Sequence, residues 1–371
     1  MNTAELERIS AELSQSRLMV LKFRQHKLAL VSFWILLFFY ICAVFGDFIA
    51  PYEKDRMLSN RQNAAPSSIH LFSDEGFTGP FVYGVSRQLD TETYKYVVTE
   101  NREEIHRISF FVHGYPYRLF GFIPCDIHLF GLEDTNSVFV NLFGADRLGR
   151  DLFSRIVIGG QISLSIGLLG VFISFFIGII IGGISGYFGG WVDEVIQRVI
   201  DFLVSIPTIP LWMTLSAAIP RDWPVTKTYL MITVILSLVG WCSLARTVRG
   251  KLLSLREEDF AAAAKVSGAG DFRIIVRHLL PAFGSYLIVN ITLSVPRMIL
   301  SETSLSFLGL GMQPPAVSWG VLLQDAQNLL AISQYPWQLL PAVFIILVVL
   351  MFNFIGDGLR DAADPFTSKA A

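Results

Sequence analysis

Residues Ile162–Gly186 read ISLSIGLLGVFISFFIGIIIGGISG, a run without a charged side chain. The hydrocarbon core of a bilayer is about 30 Å thick and an α-helix rises about 1.5 Å per residue, so roughly 20 apolar residues are needed to cross it. The run therefore predicts a transmembrane helix. Gly178, Gly182 and Gly186 give this helix one face without side chains, which predicts close packing against another helix. A gating hinge at the same glycines is the alternative.

Five further stretches have the length and hydropathy of a span, which predicts an all-α integral membrane protein with six transmembrane helices. The six predicted spans are Leu28–Ala50, Ile162–Gly186, Val199–Ile219, Tyr229–Ala245, Phe283–Leu300 and Trp337–Gly356. Pro207, Pro210 and Pro296 interrupt the third and the fifth span, which is tolerated where neighbouring groups satisfy the freed carbonyls. The first span is too long for a removed signal peptide, so we expect a retained anchor.

The overall composition fits a membrane protein and excludes several other classes. The chain has 371 residues, of which 53% are hydrophobic and only 16% charged, against about a quarter charged in soluble domains. A net charge of −2 without a basic block gives no reason to expect nucleic acid. The three cysteines lie far apart without a CxxC spacing, so neither a disulfide framework nor a metal site is expected.

The sequence carries no signature of an enzyme. It has no HExxH, no nucleophile motif and no GxxxxGK[ST] nucleotide-binding loop. Asp357 in FIGDGL lacks the earlier glycine of a GxGD intramembrane protease, and Gly250-Lys251 is followed by leucine. We therefore expect a chain without catalytic residues and without a bound cofactor.

The distribution of basic residues predicts the orientation. Lys22, Arg24 and Lys27 precede the first span, and residues 246–281 form a basic loop, so we place both on the cytoplasmic side. With six spans, both termini are cytoplasmic. The predicted parts are a cytoplasmic segment 1–27, a first helix 28–50, an extracytoplasmic insertion 51–143, a five-helix membrane core 144–359 and a cytoplasmic tail 360–371.

The insertion has the composition of a soluble segment and predicts a small β-rich lobe. Tyr94–Thr99 and Arg107–His113 are rich in aromatic and β-branched residues, and Gly114–Pro116 is expected to turn the chain toward Tyr117–Phe122. The histidines of the insertion lack metal-ligand spacing, so packing or surface roles are expected for them. These are His106, His113 and His128.

The cytoplasmic loop contains the stretch DFAAAAKVSGAGDFRIIVRHLLPA, Asp259–Ala282. It predicts a short alanine-rich helix, a break at Gly268 and Gly270, and an amphipathic helix closed by Pro281. A small-residue helix of this kind can insert into a groove of another protein. An ordinary connection between two spans is the alternative.

This stretch resembles the coupling loop of binding-protein-dependent ABC importer permeases, whose pattern is EAA, three residues, Gly, nine residues, then I-x-L-P. Gly268 and Leu280-Pro281 match that pattern and place Ala263 and Ala264 on its two alanines. The chain departs from it at Ala262, where the family has glutamate, and at His278, where it has isoleucine. Asp259, one turn earlier, is a candidate for the missing negative charge.

The resemblance covers almost everything from Gly144 to Pro365. Four stretches are similar to the oligopeptide and dipeptide permease branch, and most to its "C" subunit: GADRLGRDLFSRIVIGGQISL from Gly144, GYFGGWVDEVIQRVID from Gly186, ETSLSFLGLGMQPPAVSWG from Glu302 and FNFIGDGLRDAADP from Phe352. The long external insertion exceeds the usual length for that subunit.

The resemblance implies the type I importer fold, a bacterial inner membrane, a second permease, two ATPase subunits that use ATP and Mg²⁺, and an extracytoplasmic binding protein. It implies that the loop docks on an ATPase through Asp259, Ala261, Ala262, Ala263, Ala264, Gly268, Ala269 and Gly270. Oligopeptides are the expected solutes and glycosides the alternative. An ATP-independent secondary transporter or channel is the rival class, although no inverted repeat supports it.

Polar residues in or near the fifth span are candidates for the translocation path or the interface between permeases. They are Asn290, Arg297, Ser301 and Glu302, with an Arg297–Glu302 pair as one possibility. Glu302–Trp319 is expected to be an external re-entrant segment broken by Pro314 and Pro315. The residues before the second span predict the entry to an external amphipathic helix. Interfacial anchoring and capping is one role expected for them and substrate contact is the alternative; they are Arg147, Gly149, Arg150 and Asp151.

Overall fold

The computed structural model describes residues 15–73, 76–89, 96–132, 140–327 and 333–363. The chain divides into two compact units, of which the first holds Met1–Phe38, Ser165–Leu305 and Ile345–Ala371, and the second Phe39–Leu164 and Ser306–Phe344. The helices α2, Lys27–Val44, α4, Leu152–Phe188, α10, Gly284–Phe307, and α12, Leu340–Ala363, each contribute residues to both units.

The remaining elements are short by comparison, except for one long helix. The other helices are α1, Gln15–Gln25; α3, Gly46–Ile49; α5, Gly190–Ser205; α6, Thr208–Ala217; α7, Val225–Leu255; α8, Asp259–Val266; α9, Asp271–Ala282, whose middle is a π-helix; and α11, Trp319–Asp325. The strands are β1, His70–Ser73; β2, Gly76–Leu89; β3, Tyr96–Leu119; and β4, Ile123–Leu132.

By length and apolar composition, four helices of the described chain can each cross a membrane: α2, α4, α7 and the run Pro336–Ala363 that contains α12. Two bent pairs, α5 with α6 and α9 with α10, bring the number to six if each pair counts as one span. The prediction of a helical membrane protein with six spans is confirmed in this form.

Of the two spans with predicted proline interruptions, one is broken at a predicted proline and the other is broken elsewhere. The 83° bend between α5 and α6 falls at Ile206 and Pro207, as expected for a proline that begins a new helix. The 75° bend between α9 and α10 falls at Phe283, whereas Pro296 lies inside an uninterrupted α10. The expected break at Pro296 is therefore wrong, because one proline removes a single backbone hydrogen bond and a long packed helix tolerates that loss.

The small-residue face of α4 packs against the backbone of α7. A Cβ atom on Gly182 would lie 2.5 Å from the carbonyl oxygen of Ala245, and one on Gly186 would lie 2.7 Å from that of Arg249. Both distances are shorter than any van der Waals contact, so only glycine permits this approach. The packing role predicted for these glycines is confirmed, and α4 continues through them without a break.

The insertion contains a four-stranded antiparallel sheet in the order β1-β2-β3-β4. Gly114–Pro116 does not turn the chain, contrary to expectation. These residues lie within β3, where the register shifts between the pairs His113↔Ile127 and Tyr117↔Cys125, so they form a bulge. The turn comes later, at Phe120 and Gly121, which have positive φ angles of 54° and 82°. Tyr94 lies outside the described residues.

The ring of His128 packs against the bulge. The ring is fully buried and hydrogen-bonds the carbonyl oxygens of Asp47 at 2.9 Å and Tyr115 at 3.0 Å. A Cβ atom on Gly114 would lie 2.5 Å from this ring, so the glycine makes room for it. The packing role predicted for this histidine is confirmed. His113 is exposed and pairs with Asp126 at 2.9 Å.

The residues before α4 form a turn with buried charges, and the helix predicted for them begins only at Leu152. Asp151 accepts hydrogen bonds from the backbone N–H and the hydroxyl of Ser154, both at 2.7 Å, so this residue caps α4. Asp146 accepts hydrogen bonds from the side chains of Arg150 and Arg155. Both arginines also approach Asp325 at the end of α11.

The chain after α10 is irregular, as the two prolines predicted. Gly309 has a positive φ of 77°, Pro314 and Pro315 follow, and Ser318 caps α11 by accepting a hydrogen bond from the Val321 N–H at 3.3 Å. Residues Glu302–Phe307 are still helical, so the predicted re-entrant segment becomes irregular only after Phe307.

Candidate functional site

Helix α8 contains the alanine-rich part of the resemblance to the coupling loop. It begins after Glu258, with Asp259 in its first turn and Lys265 in its last, which suits the helix dipole at both ends. Gly268 follows with a φ of 83°, a left-handed conformation that ends a helix readily only in glycine. The Ala269 N–H then donates to the carbonyl oxygen of Ala264 at 3.1 Å.

The two sides of α8 have different environments. Ala261 is 4% exposed and belongs to a buried cluster with Leu252 of α7 and Ile274 of α9. Ala264 packs against the same cluster. Ala262 and Ala263 are exposed. The helix is therefore anchored on one side and presents two methyl groups on the other, the positions that the resemblance assigns to docking.

A recess of about 430 Å³ adjoins α8 at Ala261, Ala262 and Lys265, where its buried and exposed sides meet. It is lined by Tyr187, Phe188, Arg256, Glu257, Ala261, Ala262, Lys265, Asp271 and Ile274. Asp259, the candidate for the charge missing at Ala262, does not line it. The acidic groups of the recess are instead Glu257, which pairs with Arg256 at 3.0 Å, and Asp271, which accepts a hydrogen bond from the Tyr187 hydroxyl at 2.7 Å.

Exposed apolar side chains flank α8, and the sequence reasoning missed them. Val266 is 90% exposed, Phe272 is 79% exposed and Phe260 is 41% exposed. Isolated exposed apolar residues are ordinary, but three of them around one short helix make a patch that fits a protein contact. The same loop contains apolar residues that are buried, such as Ile274 and Leu279, so the sequence alone gave no signal that these three are exposed.

An ion pair braces the helices next to this surface. Asp193 of α5 accepts two hydrogen bonds from Arg249 of α7, from Nε and Nη2, each at 2.5 Å. Ser185 of α4 donates a third to the same carboxylate. A bidentate arginine–carboxylate pair fixes orientation as well as distance, so it links α4, α5 and α7. Neither residue was singled out from the sequence, because their pairing spans 56 residues of chain.

A second candidate site is a cavity of about 330 Å³ in the first unit. Its lining is contributed by α4, α6, α7 and α10: Val171, Ser174, Phe175, Thr208, Trp212, Leu236, Val239, Gly240, Ser243, Leu244, Asn290, Ile291, Ser294, Arg297, Met298 and Ser301. Three of the four predicted path residues are among them. The fourth, Glu302, does not line the cavity and is fully buried.

The polar residues of α10 form a stripe along the cavity. Asn290, Ser294, Arg297 and Ser301 are spaced by four, three and four residues, which places them on one face of a helix over about 16 Å. The Ser294 hydroxyl donates to the carbonyl of Asn290 at 2.7 Å, and the Ser301 hydroxyl to that of Arg297 at 2.8 Å. Ser294 was missed from the sequence, although the helical spacing points to it.

The proposed pair between Arg297 and Glu302 does not form. Residues five apart on an α-helix project about 140° from each other, so the two side chains leave α10 on different faces. No ion pair or hydrogen bond of the Arg297 guanidinium is found within the part of the chain that the structure describes. Among the same residues, no group of three or more His, Cys, Asp and Glu side chains is placed to hold a metal ion.

Comparison with known proteins identifies the family. Residues 178–369 match the binding-protein-dependent transport system inner membrane component, and residues 14–66 match the N-terminal transmembrane domain of oligopeptide transport permease C. The methionine ABC transporter MetNI in an inward-facing conformation aligns with 56% of this chain and 95% of its own, at 18% identity and a TM-score of 0.43.

Several relatives have substantial sequence identity, among them three permease proteins. A permease protein of Brucella ovis is 41% identical over 260 residues, which are 70% of this chain and 83% of the relative. The oligopeptide transport system permease protein OppC of Escherichia coli is 46% identical over 60% of this chain and 72% of its own length. The glutathione transport system permease protein GsiD of Shigella flexneri is 44% identical over 60% and 71%. The chain therefore belongs to the inner membrane components of binding-protein-dependent transport systems, and it is an ABC importer permease of the OppC-like type.

Proposed function

We propose that this permease forms, with a second permease, the path by which peptides delivered by an extracytoplasmic binding protein cross a bacterial inner membrane. Two ATPase subunits supply the energy through α8, which we place on the cytoplasmic side together with both termini. The names of OppC and GsiD, an oligopeptide and a glutathione permease, support peptides over glycosides as the solutes.

The observation that carries this proposal is the difference between the two sides of α8. The buried methyl of Ala261 packs among residues of α7 and α9, so the helix moves with the ends of two membrane helices. The exposed methyls of Ala262 and Ala263 leave a shallow surface beside an open recess. A packed helix that is pushed on its exposed side passes the movement on as a rigid unit.

Replacement of Ala263 by tryptophan tests this role in the complete importer, reconstituted with its permease, ATPase and binding-protein partners. The new side chain projects from an exposed position, so we expect normal membrane insertion of A263W. We expect at least a tenfold loss of ATP-driven uptake of a labelled peptide and weaker co-purification of the ATPase subunits.

The matched control is Ala217→Trp, at an exposed alanine that ends α6. This variant should retain uptake and ATPase binding. Equal uptake by A263W and A217W would contradict the docking role of α8. Uptake of peptide by the chain alone, without ATPase subunits, would instead support the rival class of ATP-independent transporters.

A further inference from the structure

We propose that the polar stripe of α10 binds a carboxylate group of the transported solute, and that Arg297 is the residue that binds it. This inference rests on the proposed function, because it assigns the cavity to the solute path. It adds a chemical requirement: the solute carries a free carboxylate, as the C-terminus of a peptide does.

The first argument is the charge of the cavity. Arg297 is its one charged lining residue among those described, and no aspartate or glutamate lines it. A cation within a membrane helix is costly to place, and such residues mark solute pathways or pair with an opposite charge. A guanidinium group binds a carboxylate through two parallel hydrogen bonds, a geometry that an ammonium group cannot reproduce.

The second argument is that the described part of the chain supplies no negative charge to pair with Arg297. Glu302 lies on another face of α10, and the hydroxyls of Ser294 and Ser301 donate to carbonyls of their own helix. Their oxygens can still accept hydrogen bonds from a solute. Arg297 lines the cavity without a hydrogen-bond or ion-pair partner in the described part of the chain, and a carboxylate there completes the site.

The third argument is the character of the remaining lining. Leu236, Val239, Ile291 and Met298 surround the stripe, together with small residues such as Gly240. A site with one polar stripe and apolar walls suits a solute that has a charged end and a mixed body. Asn290, two turns before Arg297 on the same face, offers an amide that can pair with a backbone peptide group.

The test compares two probes that differ only at the C-terminus: labelled trialanine, which has a free carboxylate there, and its C-terminal amide. ATP-driven uptake of both is measured with the reconstituted importer at saturating binding protein, for the wild type, Arg297→Gln and Arg297→Lys. Because the binding protein is the same throughout, a change in the acid-to-amide uptake ratio reports on the permease. We expect the ratio to fall at least tenfold in R297Q and by less in R297K.

Arg360→Gln serves as the control, because Arg360 lies near the end of α12 and does not line the cavity. It should leave the ratio unchanged. An unchanged ratio in R297Q overturns the inference, including the case in which uptake of both probes falls equally. If uptake of both probes falls equally and the second permease also co-purifies less well, Arg297 pairs with a carboxylate of that partner instead.

If the wild-type importer takes up neither of the two probes when ATP is supplied, the proposed function is contradicted, and this inference with it. Transport of both probes with a ratio that is insensitive to Arg297 contradicts the inference alone.

Discussion

Replacement of Asp146 by alanine should destabilise the second unit strongly, because this carboxylate is the acceptor for four donors. Asp146 is 3% exposed. Its oxygens accept the backbone N–H groups of Leu148 at 2.8 Å and Arg150 at 3.0 Å, the Arg150 Nε at 2.7 Å, and the Arg155 side chain. Alanine at this position leaves two arginines and two backbone donors short of an acceptor.

The expected cost follows from what remains after the substitution. Removing one partner of a buried ion pair typically costs about 3–5 kcal/mol. Asp325 stays within 3.2 Å of the Arg150 Nη2 and 3.6 Å of the Arg155 Nη1, so part of the charge is still compensated. We therefore expect about 3 kcal/mol for D146A. Asp146→Asn keeps an acceptor for the backbone N–H groups and should cost less.

The control is Glu257→Ala, which removes an ion pair of similar length in the loop between α7 and α8. Glu257 lies 3.0 Å from Arg256, and the two side chains are 75% and 30% exposed. Exposed pairs contribute about 0–1 kcal/mol, so E257A should be nearly neutral. The free energy of unfolding is measured in mixed micelles for all three variants. A cost for D146A within 1 kcal/mol of that for E257A would refute the reasoning.

Two further predictions concern α4 and its cap. Gly182→Ala should cost about 1–3 kcal/mol of stability in thermal unfolding, because the new methyl group overpacks against Ala245. Gly183→Ala is the control and should be neutral or slightly stabilising, since its Cβ would meet its nearest neighbour at 3.8 Å. Equal effects of the two substitutions would count against the glycine contact. Burial raises the pKa of Asp151 from 3.8 to about 7. The folded protein then holds a proton that the unfolded chain releases, so the contribution of Asp151 to stability is complete below about pH 4 and falls by up to about 4 kcal/mol toward pH 7. Asp151→Asn should lose this decline in pH-dependent unfolding, and an unchanged slope would contradict the assignment.

The sequence predicted those parts of the fold that depend on local composition. Apolar runs longer than a bilayer is thick identify the spans, and a glycine after an alanine-rich segment identifies the end of α8. The breaks were less predictable. Pro207 and Pro296 look alike in sequence, but only the first lies at a bend, because the packing of the surrounding helix decides whether one missing hydrogen bond is tolerated.

Features that depend on distant residues could not be predicted. The pairing of Arg150 with Asp325 joins positions 175 residues apart, and no local pattern indicates it. Gly114–Pro116 has the composition of a turn but forms a bulge, in which Gly114 and Tyr115 contact the buried ring of His128, 13 or 14 residues further along the chain. The polar stripe of α10 was predicted in part. Arg297 and Asn290 are conspicuous in an apolar segment of sequence, whereas a serine such as Ser294 is ordinary there.

The length of α7 gives its contact with α4 a mechanical consequence. Its 31 residues span about 46 Å, well over the thickness of the hydrocarbon core. Leu236 of α7 lines the cavity, and Arg256 at the end of the same helix lines the recess. Between these two residues the glycine face of α4 packs against α7 at Ala245 and Arg249. One helix therefore joins the wall of the cavity to the edge of the recess, and a tilt of α7 changes the shape of both sites together.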